Sequence, residues 1–175
     1  MTHFPNLLSA PLTVSAIIGD EKSLAALTSD GNGKYTAGDV AVAVTTNGDA
    51  LDVTLCAETS AVSWVLLRFA CSLPDTASVY GDDWERGYGT LHWGSITPEL
   101  HMPWYFLAYD AQAKVLAGYG VRVRPGAMCV WHADGNGISL YLDVRCGGTG
   151  VKLHGRVLNA ATVICREYAD TDAFS

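Results

Sequence analysis

The chain has 175 residues, 11 Lys+Arg against 18 Asp+Glu, and a formal net charge of −7. That length suits one domain and is too short for a (β/α)₈ barrel of about 250 residues. The acidic balance, with only four Lys and seven Arg scattered along the sequence, argues against nucleic acid as a partner, because phosphate binding needs clustered Lys and Arg. No apolar run approaches the 18 or so residues of a membrane-spanning helix. Residues 1–9 carry no basic leader pattern, so a cytoplasmic protein is expected. The five cysteines, Cys56, Cys71, Cys129, Cys146 and Cys165, show no CxxC or paired spacing. They read as free thiols in a reducing compartment rather than as a disulfide framework or a zinc site.

Val, Ile and Thr total 35 residues and Gly adds 18, a composition of β-branched runs broken by turns. Residues 12–17 alternate apolar and polar. Residues 40–44 alternate again and lead through Thr46-Asn47-Gly48-Asp49 into 51–55, a hairpin signalled by Asn-Gly. Residues 21–27 are the best helix candidate, and a short one. Residues 30–33, Asp-Gly-Asn-Gly, offer a turn. Residues 62–69 are apolar almost throughout and predict a central strand covered on both faces. Residues 105–110 and 114–121 form a second hairpin. Residues 127–132 and 138–144 form a third, joined by a second Asp-Gly-Asn-Gly at 134–137. A long last strand covers about 158–168. About ten to thirteen strands in one domain, 1–175, predict an all-β fold of two stacked antiparallel sheets.

The two Asp-Gly-Asn-Gly loops supply oxygens, but calcium takes six to eight ligands, so they read as turns and no metal or other cofactor is expected. The five histidines have no ligand spacing. The densest segment is 80–93, with Asp82, Asp83, Trp84, Glu85, Arg86 and Trp93 among two further tyrosines. Indole faces cover the C–H patches of sugars, and carboxylates and guanidinium bond their hydroxyls. These six residues are the candidate sugar-binding set. On composition alone, the favoured reading is Trp84 and Trp93 as core indoles with Glu85–Arg86 as a structural ion pair. A glycosidase pair within this segment is disfavoured, since adjacent Asp82 and Asp83 point to opposite faces of a strand.

Asp83-Trp84-Glu85-Arg86-Gly87-Tyr88-Gly89-Thr90-Leu91 is similar to a W-E-R-x-Y-G-x-L motif. Met102-Pro103-Trp104-Tyr105-Phe106-Leu107-Ala108-Tyr109-Asp110, Gly118-Tyr119-Gly120-Val121, Leu140-Tyr141-Leu142-Asp143-Val144-Arg145-Cys146-Gly147-Gly148 and Leu158-Asn159-Ala160-Ala161-Thr162-Val163 follow in order. Together, from about Val79 onward, they resemble the N-terminal β-sandwich domain of α-galactosidase-like glycoside hydrolases of family 36. The chain departs from that pattern at Thr90 and Gly94. The resemblance implies that this all-β fold is a two-sheet antiparallel β-(super)sandwich, galactose-mutarotase-like in style, and a non-catalytic domain, with no catalytic residue of its own, that supports a following (β/α)₈ barrel in the same polypeptide. It implies a homo-oligomer as a further partner, and a loop at 82–93 that approaches a galactoside. The alternative expectation is a free-standing carbohydrate-binding, lectin-like module.

Overall fold

The computed structural model describes residues 3–81, 93–97 and 99–169. The β-branched, glycine-punctuated pattern becomes strands throughout, with no helix among the described residues. In chain order the first strands are β1 (Thr13–Ile18), β2 (Ala25–Ala26), β3 (Thr28–Ser29), β4 (Lys34–Ala37) and β5 (Val40–Asn47). Then come β6 (Ala50–Ala57), β7 (Ala61–Ala70), β8 (Ala77–Gly81), β9 (Met102–Pro103) and β10 (Tyr105–Asp110). The last are β11 (Val115–Val121), β12 (Met128–Asp134), β13 (Gly137–Asp143), β14 (Val151–Lys152) and β15 (Val157–Ala169). They form two antiparallel sheets. One has seven strands, in the order β2-β1-β7-β13-β12-β9, with β14 also on β7. The other has eight, in the order β3-β4-β5-β6-β15-β11-β10-β8.

The expected two-sheet sandwich is therefore what the chain forms. Side chains alternate across each strand, so each sheet turns one apolar face inward. Val65, Leu67, Leu140, Leu142 and Trp131 face Val42, Val53, Leu55, Phe106 and Tyr119, all buried. Phe106 stacks on Tyr119 with ring centres 4.6 Å apart and meets Trp131 edge-on at 5.8 Å. Buried aromatics with a polar tip need a partner for it. Trp131 Nε1 donates to the Trp104 carbonyl at 3.1 Å, and Tyr119 Oη donates to the Pro5 carbonyl at 2.9 Å. Trp104 has φ of 67° and is the corner at which the chain passes from β9 in one sheet to β10 in the other. The N-terminal segment closes one end of the sandwich, with Phe4 and Leu7 inserted into the core.

Three expectations change in detail. Residues 62–69 do run through the middle of a sheet, but only Val62, Val65, Leu67 and Phe69 are buried. Trp64, Leu66 and Arg68 lie on the outer face and are half-buried, because two layers cover only one face of each sheet. Residues 21–27 hold a turn and the two-residue β2 instead of a helix. In the first hairpin Asn47 pairs with Ala50, so the turn is Gly48-Asp49, one residue later than the Asn-Gly signal suggests.

Candidate functional site

The outer face of the eight-stranded sheet carries what the inner face cannot use. On β10 the odd positions, Tyr105, Leu107 and Tyr109, point outward, while Phe106, Ala108 and Asp110 are buried. Strand register sets their neighbours. Tyr80 on β8, Leu107, Gly118 on β11 and Arg166 on β15 lie in one row across the sheet. Tyr105, Gly120 and Ile164 make the next row, and Tyr109, Leu116 and Tyr168 the one on the other side.

Of the six residues singled out in the sequence, Trp93 is placed and Asp82, Asp83, Trp84, Glu85 and Arg86 lie outside the described residues. The flanks of that segment meet at one sheet edge. Gly81 ends β8 opposite Phe106, and Gly94 exchanges both backbone hydrogen bonds with Val79, at 2.8 and 2.9 Å. Trp93 is consequently held over the outer face, its indole 5.6 Å from Tyr80 and 6.0 Å from Tyr109, tilted by 40° and 59°. It remains 38% exposed. Trp93 is thus not a core residue, so one of the two readings open at the sequence level is removed for this position.

Beside this aromatic platform lies a trough that composition alone did not reveal. Gly118 and Gly120 occupy outward positions of β11, between Tyr105 and Leu107 on one side and Ile164 and Tyr168 on the other, around a cavity of about 270 Å³. Tyr105 and Tyr168 are each 38% exposed. Arg166 stands at the rim and pairs with Asp49 at 2.9 Å. The Tyr168 hydroxyl and the Asp49 carboxylate both hold its guanidinium in the charged form. The available signal was glycine at every second residue, Gly118 and Gly120, within an otherwise apolar strand.

The other polar clusters have structural work. Asp110, 3% exposed, takes hydrogen bonds from Thr76 Oγ1 at 2.7 Å and from the amides of Gln112 and Ala113, with His3 Nε2 at 2.9 Å. These partners, Thr76 foremost, bring its pKa down to about 2. Asp39 binds the amides and hydroxyls of Thr59 and Ser60 and is held well below the usual carboxylate range. Asp30 and Asp134 each accept backbone N–H groups two residues on, the geometry of hairpin turns. Asp134 also binds Arg68 at 2.7 Å. All five cysteines are free, and burial pushes the Cys129 thiol up to about 12. Among the described residues no three His, Cys, Asp or Glu side chains gather as metal ligands.

No known protein family, no curated protein and no solved structure matches this chain. The class it defines therefore rests on its own fold and face: an all-β, two-sheet antiparallel sandwich with an exposed aromatic platform beside a glycine-floored trough.

Proposed function

We propose that this chain is a non-catalytic, saccharide-binding β-sandwich that serves as the N-terminal accessory domain of an α-galactosidase-type glycoside hydrolase. The observation that carries the binding half of this reading is Trp93, a large aromatic side chain steadied by Tyr80 and Tyr109 yet open to solvent. Such a surface loses little entropy on binding, and it suits the apolar C–H face of a galactoside. Gly81 and Gly94, the described residues on either side of the carboxylate- and arginine-bearing stretch, both lie at the sheet edge that presents Trp93.

The accessory half draws on the opposite face and on the motif order from Val79 onward. Ile17, Leu24, Trp64 and Tyr141 frame an apolar depression of about 250 Å³ on the outside of the seven-stranded sheet. An apolar exposed patch of that kind is what a neighbouring domain covers.

The test is calorimetric titration of the chain with methyl α-galactoside, with nitrophenyl α-galactoside hydrolysis assayed in parallel. About 0.3 kcal/mol per heavy atom over about 13 atoms gives roughly 4 kcal/mol, or a Kd on the order of 1 mM. The expected result is binding in that range, weakened about three- to tenfold in Trp93→Ala, with no turnover. No binding at tens of millimolar removes the saccharide reading. Turnover by the chain itself removes the non-catalytic one.

A further inference from the structure

We infer that the trough over β11 is a subsite for the apolar aglycone of an aryl or alkyl glycoside whose sugar ring lies on Trp93. The inference rests on the saccharide reading above and names the substrate class.

Glycine inside a strand weakens it, and where the fold does not demand one it marks close approach by another group. The fold does demand glycine elsewhere. A Cβ on Gly137 would stand 2.3 Å from the Phe69 carbonyl oxygen. Gly118 and Gly120 are different. Neither has a positive φ; a Cβ on Gly118 would meet Leu107 at 3.5 Å, and one on Gly120 would meet Tyr105 at 3.4 Å, the Trp104 carbonyl at 3.7 Å and Ile164 at 4.0 Å, all ordinary contact distances. Larger residues would fit the backbone and favour the strand. What these two glycines provide is the open trough itself.

Its dimensions limit the occupant. β10 and β15 both neighbour β11, so the walls stand about 9.6 Å apart, two strand spacings. A cavity of about 270 Å³ falls just under the roughly 300–1,000 Å³ of drug-sized pockets, which leaves room for one ring and a few atoms. Its chemistry limits the occupant further. β11 is paired on both sides, so the floor has spent its backbone donors and acceptors within the sheet. Leu107, Ile164 and the glycines offer a hydroxyl nothing to bond. A second sugar ring would bury unpaired hydroxyls, a cost that an aryl or alkyl group avoids. The polar groups, Arg166 and the two tyrosine hydroxyls, belong to side chains that rise from β15 and β10 at the rim.

The trough is continuous with the platform. Tyr109, which touches Trp93, and Leu107, which lines the trough, are alternate residues on the same face of β10. Tyr80, the other support of Trp93, pairs with Leu107 across the β8–β10 ladder.

The experiment compares methyl α-galactoside with p-nitrophenyl α-galactoside by calorimetry on the full chain, its Gly118→Val variant and its Trp93→Ala variant. The expected result is about tenfold tighter binding of the aryl glycoside. Gly118→Val abolishes that gain while leaving methyl galactoside within twofold. Trp93→Ala weakens both ligands. If Gly118→Val does not fold, Gly118→Ala replaces it, with a smaller loss of the gain expected. Equal affinities for the two ligands overturn the inference and leave the saccharide reading standing. A tenfold gain retained in a folded Gly118→Val protein does the same. Failure of both ligands to bind overturns both.

Discussion

Asp110 shows how single residues tie the chain together. Its carboxylate sits at the end of β10, and its partners come from the N-terminal segment, from the loop before β8 and from the β10–β11 turn. Its folded pKa, about 2, lies below the ordinary 3.8. A carboxylate depressed in this way stabilises the fold at and above about pH 4, and that contribution is lost as the pH falls through about 2. Melting temperatures measured between pH 2 and pH 5 should fall with acid in the wild type. Asp110→Asn should flatten that step while lowering stability at pH 7. A parallel acid profile in the two proteins would contradict this role. Trp93 is the counterpart in the proposed binding face, and the sequence singled it out as an indole among carboxylates. Its exposure was not legible there, because only the pairing of Gly94 with Val79 sets which side of the sheet it reaches.

Elements long enough to show a period were legible from sequence. β5, β6, β7, β10 to β13 and β15 each follow an alternating or apolar run, and the three expected hairpins form, the first with its turn one residue later than its Asn-Gly signal. The two-residue strands β2, β3, β9 and β14 have no period to read. Residues 21–27 carried an apolar spacing compatible with a helix turn, but pairing of Ala25 and Ala26 with β1 decides against it. The trough on β11 needed register as well as sequence, since two alternate glycines become a groove only when β10 and β15 raise side chains on both sides. The N-terminal segment was overlooked because it has no period at all. It nonetheless inserts Phe4 and Leu7 into the core at 2% and 1% exposure. Leu7→Ala should therefore cost about 2–5 kcal/mol, the range for cavities of this size. Leu12→Ala, at a position 67% exposed, should change stability by no more than about 0.5 kcal/mol. Urea midpoints of the two variants check this, and equal midpoints would show that the segment is not part of the core.

The whole molecule divides its labour between two outer faces on one shared core. The seven-stranded sheet shows an apolar depression around Trp64, suited to a covering domain, and the eight-stranded sheet shows aromatics beside a bare glycine floor. Asp30, Asp39, Asp110 and Asp134 hold turns and segment ends. On the proposed reading, recognition belongs to the chain and bond cleavage to other polypeptide. Backbone and indole N–H chemical shifts recorded by NMR during titration with p-nitrophenyl α-galactoside test that assignment most directly. The account predicts that the Trp93 indole N–H and the amides of Tyr80, Gly118 and Gly120 move together in a saturable way, while β5 and β6 stay still. Saturable shifts confined to the seven-stranded sheet, or none up to the solubility of the ligand, would contradict it.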